Sequence, residues 1–382
     1  MLSQIEKWIL KRTGLTSFAD LAQWQEEALL KQREVAKKSA YYKTDREFSY
    51  PEDLAQDPYA FLCLNPKEIS RITTLPTSGT GGSPKRIFFS EADLELTAEY
   101  FCVGMQELIE EKDFAAIFMP GSTPGSVGEL LQRGIKRFNA SAQSYGFIED
   151  LEKAAKQAKG AQCLLGHPTQ LLSLSRYAPE LRPKSILLTG DPTPSWLLNE
   201  LEQTWKTRTH PHYGSTEAGF GCAVRGRDGQ GLQICHPFTL IEIIDRKTGE
   251  NLPDGEWGEI VLSTLQRQAM PFLRYRTGDI GRYLPGFNPK RLDVLVQRIK
   301  TPKCFDGLDI HQLDQMVFSI REVLTYRASL NKQGLHLEIY TSLNEAQLKK
   351  RLKEVLPDNI PYTFALKTLN LDKGKRRIHL EI

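Results

Sequence analysis

Apolar positions recur at helical spacing over residues 3–10 and again over residues 17–38. Ser90 then stands where a helix over residues 91–111 needs its N-cap, with Asp93 in the capping-box position. Beyond it, short apolar runs at 114–119, 163–165 and 185–188 read as buried strands. Residues 149–159, 169–177 and 194–205 read as the intervening helices. That alternation predicts βαβ units in a layered sheet. From Gly219 to Val296 the pattern becomes strand-rich, with a turn at Pro253-Asp254-Gly255. Near residues 297–301 the character changes again. The tail predicts strands near 324–329, 335–340 and 363–366 and a helix over 344–355. The expected fold is α/β: a large layered N-terminal domain over residues 1–298, with mixed sheets flanked by helices, and a small α+β C-terminal domain over 299–382.

Composition narrows the class. A chain of 382 residues is long enough for more than one domain. Apolar content of 40% and charged content of 25% are those of an ordinary globular protein. A net charge of +3 is too mild to point to nucleic acid. No apolar run approaches the ~18 residues of a membrane span, and the first residues lack the apolar core of a signal peptide. The six cysteines form no CxxC pair, which points to reduced, packed thiols and a cytoplasmic protein.

Chemistry concentrates in three stretches. Residues 77–85 read Thr77-Ser78-Gly79-Thr80-Gly81-Gly82-Ser83-Pro84-Lys85. Glycines let a backbone approach a ligand closely, hydroxyls and amides donate to phosphate oxygens, and lysine adds a compact positive charge. Apolar β-like runs lie on both sides, so the setting is strand–loop–strand. That excludes a P-loop, which needs GxxxxGK[ST] and a following helix, and no GxGxxG is present. A surface glycine hairpin is the alternative. The second stretch is His212-Tyr213-Gly214-Ser215-Thr216-Glu217-Ala218, and the third is Arg274-Tyr275-Arg276-Thr277-Gly278-Asp279.

In order and spacing the three stretches resemble the acyl-adenylate-forming superfamily. Residues 249–279 and 32–42 resemble the phenylacetate–CoA ligase branch in particular. This resemblance implies ATP, Mg²⁺ and CoA as cofactors and co-substrates, a small-molecule carboxylic acid as substrate, and dimerisation. It implies that Thr77, Ser78, Gly79, Thr80, Gly81, Gly82 and Lys85 cradle the β- and γ-phosphates, Gly81 standing where the family has threonine. Tyr213, beside Gly214 and Ser215, would lie near adenine, as would Gly190 and Asp191. Thr216 would touch the α-phosphate, Glu217 would hold Mg²⁺, and Asp279 and Arg298 would contact ribose. Lys375 would bridge carboxylate and α-phosphate, carried by a mobile tail that turns near Lys300, and residues 305–310 would face the thiol channel. Glu217 and Asp279 also admit plainer readings, as a solvated loop acid and a turn residue.

For the acyl pocket, the segment from Gly166 to Thr169 resembles a substrate-side turn of the family. His167 is the candidate there, against a helix-start histidine bonded to backbone. Tyr145 and Phe220 are candidate pocket aromatics, though such rings more often fill a core. Cys222, Cys235 and His236 resemble part of a structural zinc site whose later cysteine pair is missing. No GxSxG elbow or nucleophilic cysteine is recognisable, and adenylation needs none. The expected activity is ATP-dependent formation of an acyl-adenylate and then a CoA thioester. Transfer to a protein or carrier thiol, and nucleotide binding without turnover, are the alternatives.

Overall fold

The computed structural model describes residues 2–75, 85–298, 308–331, 334–367 and 378–380. The chain divides into two compact units. One comprises Met1–Lys112, Gly121–Ala142 and His210–Ile299; the other comprises Asp113–Pro120, Gln143–Thr209 and Lys300–Ile382. The fold is α/β, with mixed sheets flanked by helices and a smaller separate sheet.

In the first unit, strands Thr239–Ile244, Gly258–Thr264, Tyr275–Tyr283, Arg291–Arg298, Leu232–Ile234 and Ala223–Arg225 lie side by side in that order, and the end of Arg208–Tyr213 follows. Every neighbouring pair is antiparallel. Ile241, Ile243, Ile260, Leu232, Ile234 and Leu292 form a core on this sheet. A separate hairpin pairs Arg71–Leu75 with Lys85–Phe89 in antiparallel register, Leu75 opposite Lys85. The glycine-rich segment thus joins two strands, as the flanking β-like runs predict. Helix Glu91–Gln106 follows at once, and Ser90 and Asp93 complete the expected capping box. It ends five residues before the expected position 111, at a turn closed by Glu107 N–H donating to the Gly104 carbonyl.

In the second unit, Phe114–Phe118, Cys163–Gly166 and Ser185–Leu188 are parallel, with Ala115 opposite Cys163 and Leu164 opposite Ile186. Every residue of the latter two strands is buried, as strands covered on both faces must be. Helices Leu151–Ala158, Pro168–Tyr177 and Ser195–Trp205 intervene. The tail strands Val323–Asn331 and Gly334–Thr341 are antiparallel, and Tyr362–Leu366 and Ile378–Leu380 flank them in parallel. Helix Ile310–Phe318, which residues 305–311 do not suggest, opens on Asp309 with a full capping box. Its Leu313, Val317 and Phe318 share one core with Leu171, Leu174, Leu198 and Leu201. Among the described residues, no helix is long and apolar enough to cross a membrane.

Candidate active site

The strand Arg208–Tyr213 delivers its last residue to a tight turn. Phe220 N–H donates to the Ser215 carbonyl at 2.8 Å, Gly219 N–H to the Thr216 carbonyl at 3.0 Å, and Ala218 N–H to Ser215 Oγ at 3.2 Å. A side chain at Gly214 would meet the Phe220 carbonyl oxygen at 2.2 Å, so only glycine fits there. The turn presents Glu217, which is buried. Its Oε1 accepts from the Tyr275 hydroxyl at 2.9 Å and lies 3.8 Å from Lys85 Nζ. Lys85 Nζ also donates to the Tyr275 hydroxyl at 3.4 Å. Behind the turn, Arg267 Nη2 donates to the Glu217 carbonyl at 3.1 Å.

Asp279 sits on the strand Tyr275–Tyr283, just after Gly278, whose φ is +75°. Its N–H donates to Thr277 Oγ1 at 3.0 Å, and its Oδ2 accepts from the Tyr213 hydroxyl at 2.9 Å. Burial first, and then the Asp279 carboxylate, push the Tyr213 phenol well above its ordinary pKa, so it stays a donor. Arg298 lies opposite Asp279 in backbone register. One group of residues therefore brings together Lys85, Tyr213, Glu217 and Asp279 with Gly214, Ser215 and Thr216.

The half-buried ring of Phe220 stacks on Phe89 with centroids 5.0 Å apart and planes 12° from parallel. Phe89 is fully buried, so Phe220 serves the packing under the turn.

The second unit holds a separate group where two parallel strands end, at the carboxyl edge where α/β sheets bind ligands. His167 follows Cys163–Gly166, and its Nδ1 lies 3.1 Å from Asp191 Oδ2. Both side chains are buried. His167 does begin a helix, but its partner is this carboxylate, not backbone. Gly190 has φ +94°, and a Cβ there would stand 2.6 Å from the His167 ring. Phe147 meets His167 edge-on at 5.3 Å, and Tyr145 leans on Phe118 at 5.9 Å, against the core.

Thr77, Ser78, Gly79, Thr80, Gly81, Gly82, Lys300 and Lys375 lie outside the described residues, as do residues 305–307 of the segment 305–310. His236 Nε2 lies 3.0 Å from the Lys290 carbonyl oxygen. No cluster of three or more His, Cys, Asp or Glu suited to a metal occurs among the described residues. Two residues given no role from sequence prove central. Tyr275 stood inside a quoted motif, but nothing local showed that its hydroxyl reaches Glu217. Arg267 carried no signal at all, because its partner is a main-chain carbonyl 50 residues away.

Residues 7–269 match the family described as AMP-binding enzyme, and this chain belongs to that family. It is 26% identical to a phenylacetate-coenzyme A ligase of Pseudomonas putida over 336 residues, 81% of this chain and 75% of that one. A phenylacetate-coenzyme A ligase of Thermus thermophilus is 23% identical over 78% of this chain and 69% of its own length. In fold, the chain matches a crystal structure of 2-hydroxyisobutyryl-CoA ligase in the postadenylation state with a TM-score of 0.72. That match has 16% identity and covers 96% of this chain and 91% of the other.

Proposed function

We propose that this protein is an ATP-dependent carboxylate–CoA ligase that first forms an acyl-adenylate. The observation that carries this is the Lys85–Tyr275–Glu217 cluster beside the Tyr213–Asp279 pair, in a chain of the AMP-binding enzyme family. A carboxylate does not acylate a thiol directly, because oxide is a poor leaving group. In the first step a substrate carboxylate oxygen bonds to the α-phosphorus of ATP, and the bond from that phosphorus to the bridging oxygen breaks, releasing pyrophosphate. In the second, a thiolate sulfur bonds to the acyl carbon and AMP departs with the electron pair of the broken acyl–oxygen bond.

The protein's task is to hold anions together and neutralise them. Lys85 supplies charge at the mouth of the glycine-rich loop, whose amides and hydroxyls take the terminal phosphates. Asp279, held by Tyr213, accepts the ribose hydroxyls. Thr216 lies beside Glu217 on the same turn and serves the α-phosphate. By the family resemblance, Gly190, Asp191 and His167 would serve the adenine and the acyl group, and Lys375 the carboxylate and the α-phosphate.

The donor set at Glu217 fits Mg²⁺. One hard carboxylate is what that ion takes beside phosphate oxygens and water, and among the described residues no group donates to Glu217 Oε2. When bound, the ion would neutralise phosphate charge during the first step. A cytoplasmic setting agrees with the free cysteines Cys63, Cys102, Cys163, Cys222 and Cys235. Pyrophosphate release across a panel of aryl and medium-size carboxylic acids, with and without CoA, tests the proposal. Release coupled to CoA thioester formation is expected. Release with no CoA thioester, but with acylation of a carrier protein, would reassign the acceptor. No release with any acid would reduce the protein to a nucleotide binder.

A further inference from the structure

The charge on Arg267 is costly to bury, and the buried carboxylates of Asp93 and Glu217 nearby offset part of that cost. Its side chain is buried, and desolvation lowers its pKa. What the guanidinium does gain is specific. Nη2 donates to the Glu217 carbonyl at 3.1 Å, and the guanidinium carbon lies 4.6 Å from the centroid of the Phe89 ring. Phe89 in turn stacks on Phe220, three residues after Glu217. Gly219 leaves room for this approach, since a Cβ there would stand 3.1 Å from Arg267 Nη2.

The other side of the guanidinium faces a cavity of about 30 Å³ lined by Asp93, Thr97, Tyr100, Gly219, Cys235 and Arg267 among others. Two buried polar atoms of that lining have no hydrogen-bond partner among the described residues, Arg267 Nη1 and the Tyr100 hydroxyl. These two atoms give an otherwise largely apolar cavity the two polar partners a water needs, in more than the ~10–15 Å³ it requires. Asp93 does not compete for Nη1. Its oxygens accept from the N–H groups of Ser90, Gln268 and Ala269 at 3.0, 2.7 and 3.0 Å.

We infer that Arg267 is a positioning residue for Glu217, held in place by a buried water that bridges Arg267 Nη1 and the Tyr100 hydroxyl. One guanidinium edge fixes the main chain of the turn, the ring stack fixes its height, and the water satisfies the edge that the protein leaves open. The inference rests on the proposed role of Glu217 as the metal carboxylate.

The test is the affinity of the full-length protein for Mn²⁺, a paramagnetic stand-in for Mg²⁺, with a non-hydrolysable ATP analogue, read from the resonance of the free ion. Arg267→Met is expected to weaken Mn²⁺ binding about tenfold, the usual effect of removing a group that orients a ligand. Arg267→Lys keeps a cation and one donor and should recover part of the loss. Tyr100→Phe removes one partner of the water and should produce a smaller loss of the same kind. Glu217→Gln is the control. If it loses Mn²⁺ affinity while Arg267→Met stays within twofold of the parent, the positioning role is overturned and Glu217 keeps its assignment. If Glu217→Gln also binds as the parent does, the metal assignment itself falls. Should Arg267→Met fail to fold, Arg267→Lys decides alone, and parental affinity in that variant overturns the role. Parental affinity in Tyr100→Phe overturns the water bridge.

Discussion

The hydroxyl of Tyr213 donates to the carboxylate of Asp279 at 2.9 Å, joining the end of one strand to the middle of another 66 residues away. The two residues belong to separate sequence motifs. In the role proposed for Asp279, accepting from ribose, Tyr213 would hold its carboxylate in one orientation.

Tyr213→Phe removes that donor and keeps the ring. Hydrogen bonds to charged groups contribute about 1.5–3 kcal/mol, part of which solvent can replace. A stability loss of about 1 kcal/mol in urea melts is expected, with roughly fivefold weaker ATP binding by calorimetry. Parental ATP affinity would show that the pair is a strand fastener and nothing more.

Lys85→Ala removes the cation 3.8 Å from Glu217 Oε1, a buried carboxylate that also accepts from the Tyr275 hydroxyl. The change should weaken ATP binding and cut pyrophosphate release at least about tenfold, equivalent to some 1.4 kcal/mol in the barrier. If both stay at the parental level, the glycine-rich segment is only a hairpin connection.

Much of this site was legible because its parts are local. The hairpin around the glycine-rich loop shows in two short β-like runs, and the cap at Ser90 shows in a spacing of three. The group of His167 with Asp191 was half legible. The histidine's place at a helix start follows from Pro168, whereas its carboxylate partner depends on two parallel strands ending side by side. The same holds for Tyr275 and Arg267, whose partners lie 58 and 50 residues away. At Phe220, aromatic type alone does not tell a pocket wall from a stacking partner, and the stack on Phe89 shows only in the fold. Helix Ile310–Phe318 escaped notice because its apolar residues face helices more than 100 residues earlier in the chain.

The ring of His236 is buried, and burial lowers its pKa from 6.5 to about 4. Below about pH 6.5 the unfolded chain takes up a proton that the native state refuses until about pH 4. The stabilisation is therefore complete above pH 6.5 and is lost as pH falls from there toward 4. The full effect is on the order of 3 kcal/mol. His236→Gln should flatten the stability profile between pH 7.5 and 5 in urea melts. An unchanged slope would place the acid sensitivity on other groups.

The last prediction concerns the tail. Arg176, at the end of helix Pro168–Tyr177, makes a two-pronged bond to Glu200 at 2.6 and 2.8 Å. Its remaining donors go to the carbonyls of Phe318 at 2.6 Å, Ile320 at 3.2 Å and Val323. Ser173 Oγ, one turn earlier, donates to the Leu324 carbonyl at 2.6 Å. One side chain thus fastens the end of helix Ile310–Phe318 and the start of strand Val323–Asn331 to an earlier helix. A tail that turns during the reaction must first break these bonds. Arg176→Met strands three carbonyls and a largely buried Glu200, and losing one partner of such a pair costs about 3–5 kcal/mol. Arg176→Lys should recover little, because an ammonium cannot form the planar fork. Hydrogen exchange in the full-length protein gives the readout. Arg176→Met should speed exchange across Ile310–Phe318 and Val323–Asn331 and leave helix Leu21–Ala36 unchanged. Parental exchange in the tail segments would show that the shared apolar core, not Arg176, holds the tail in place.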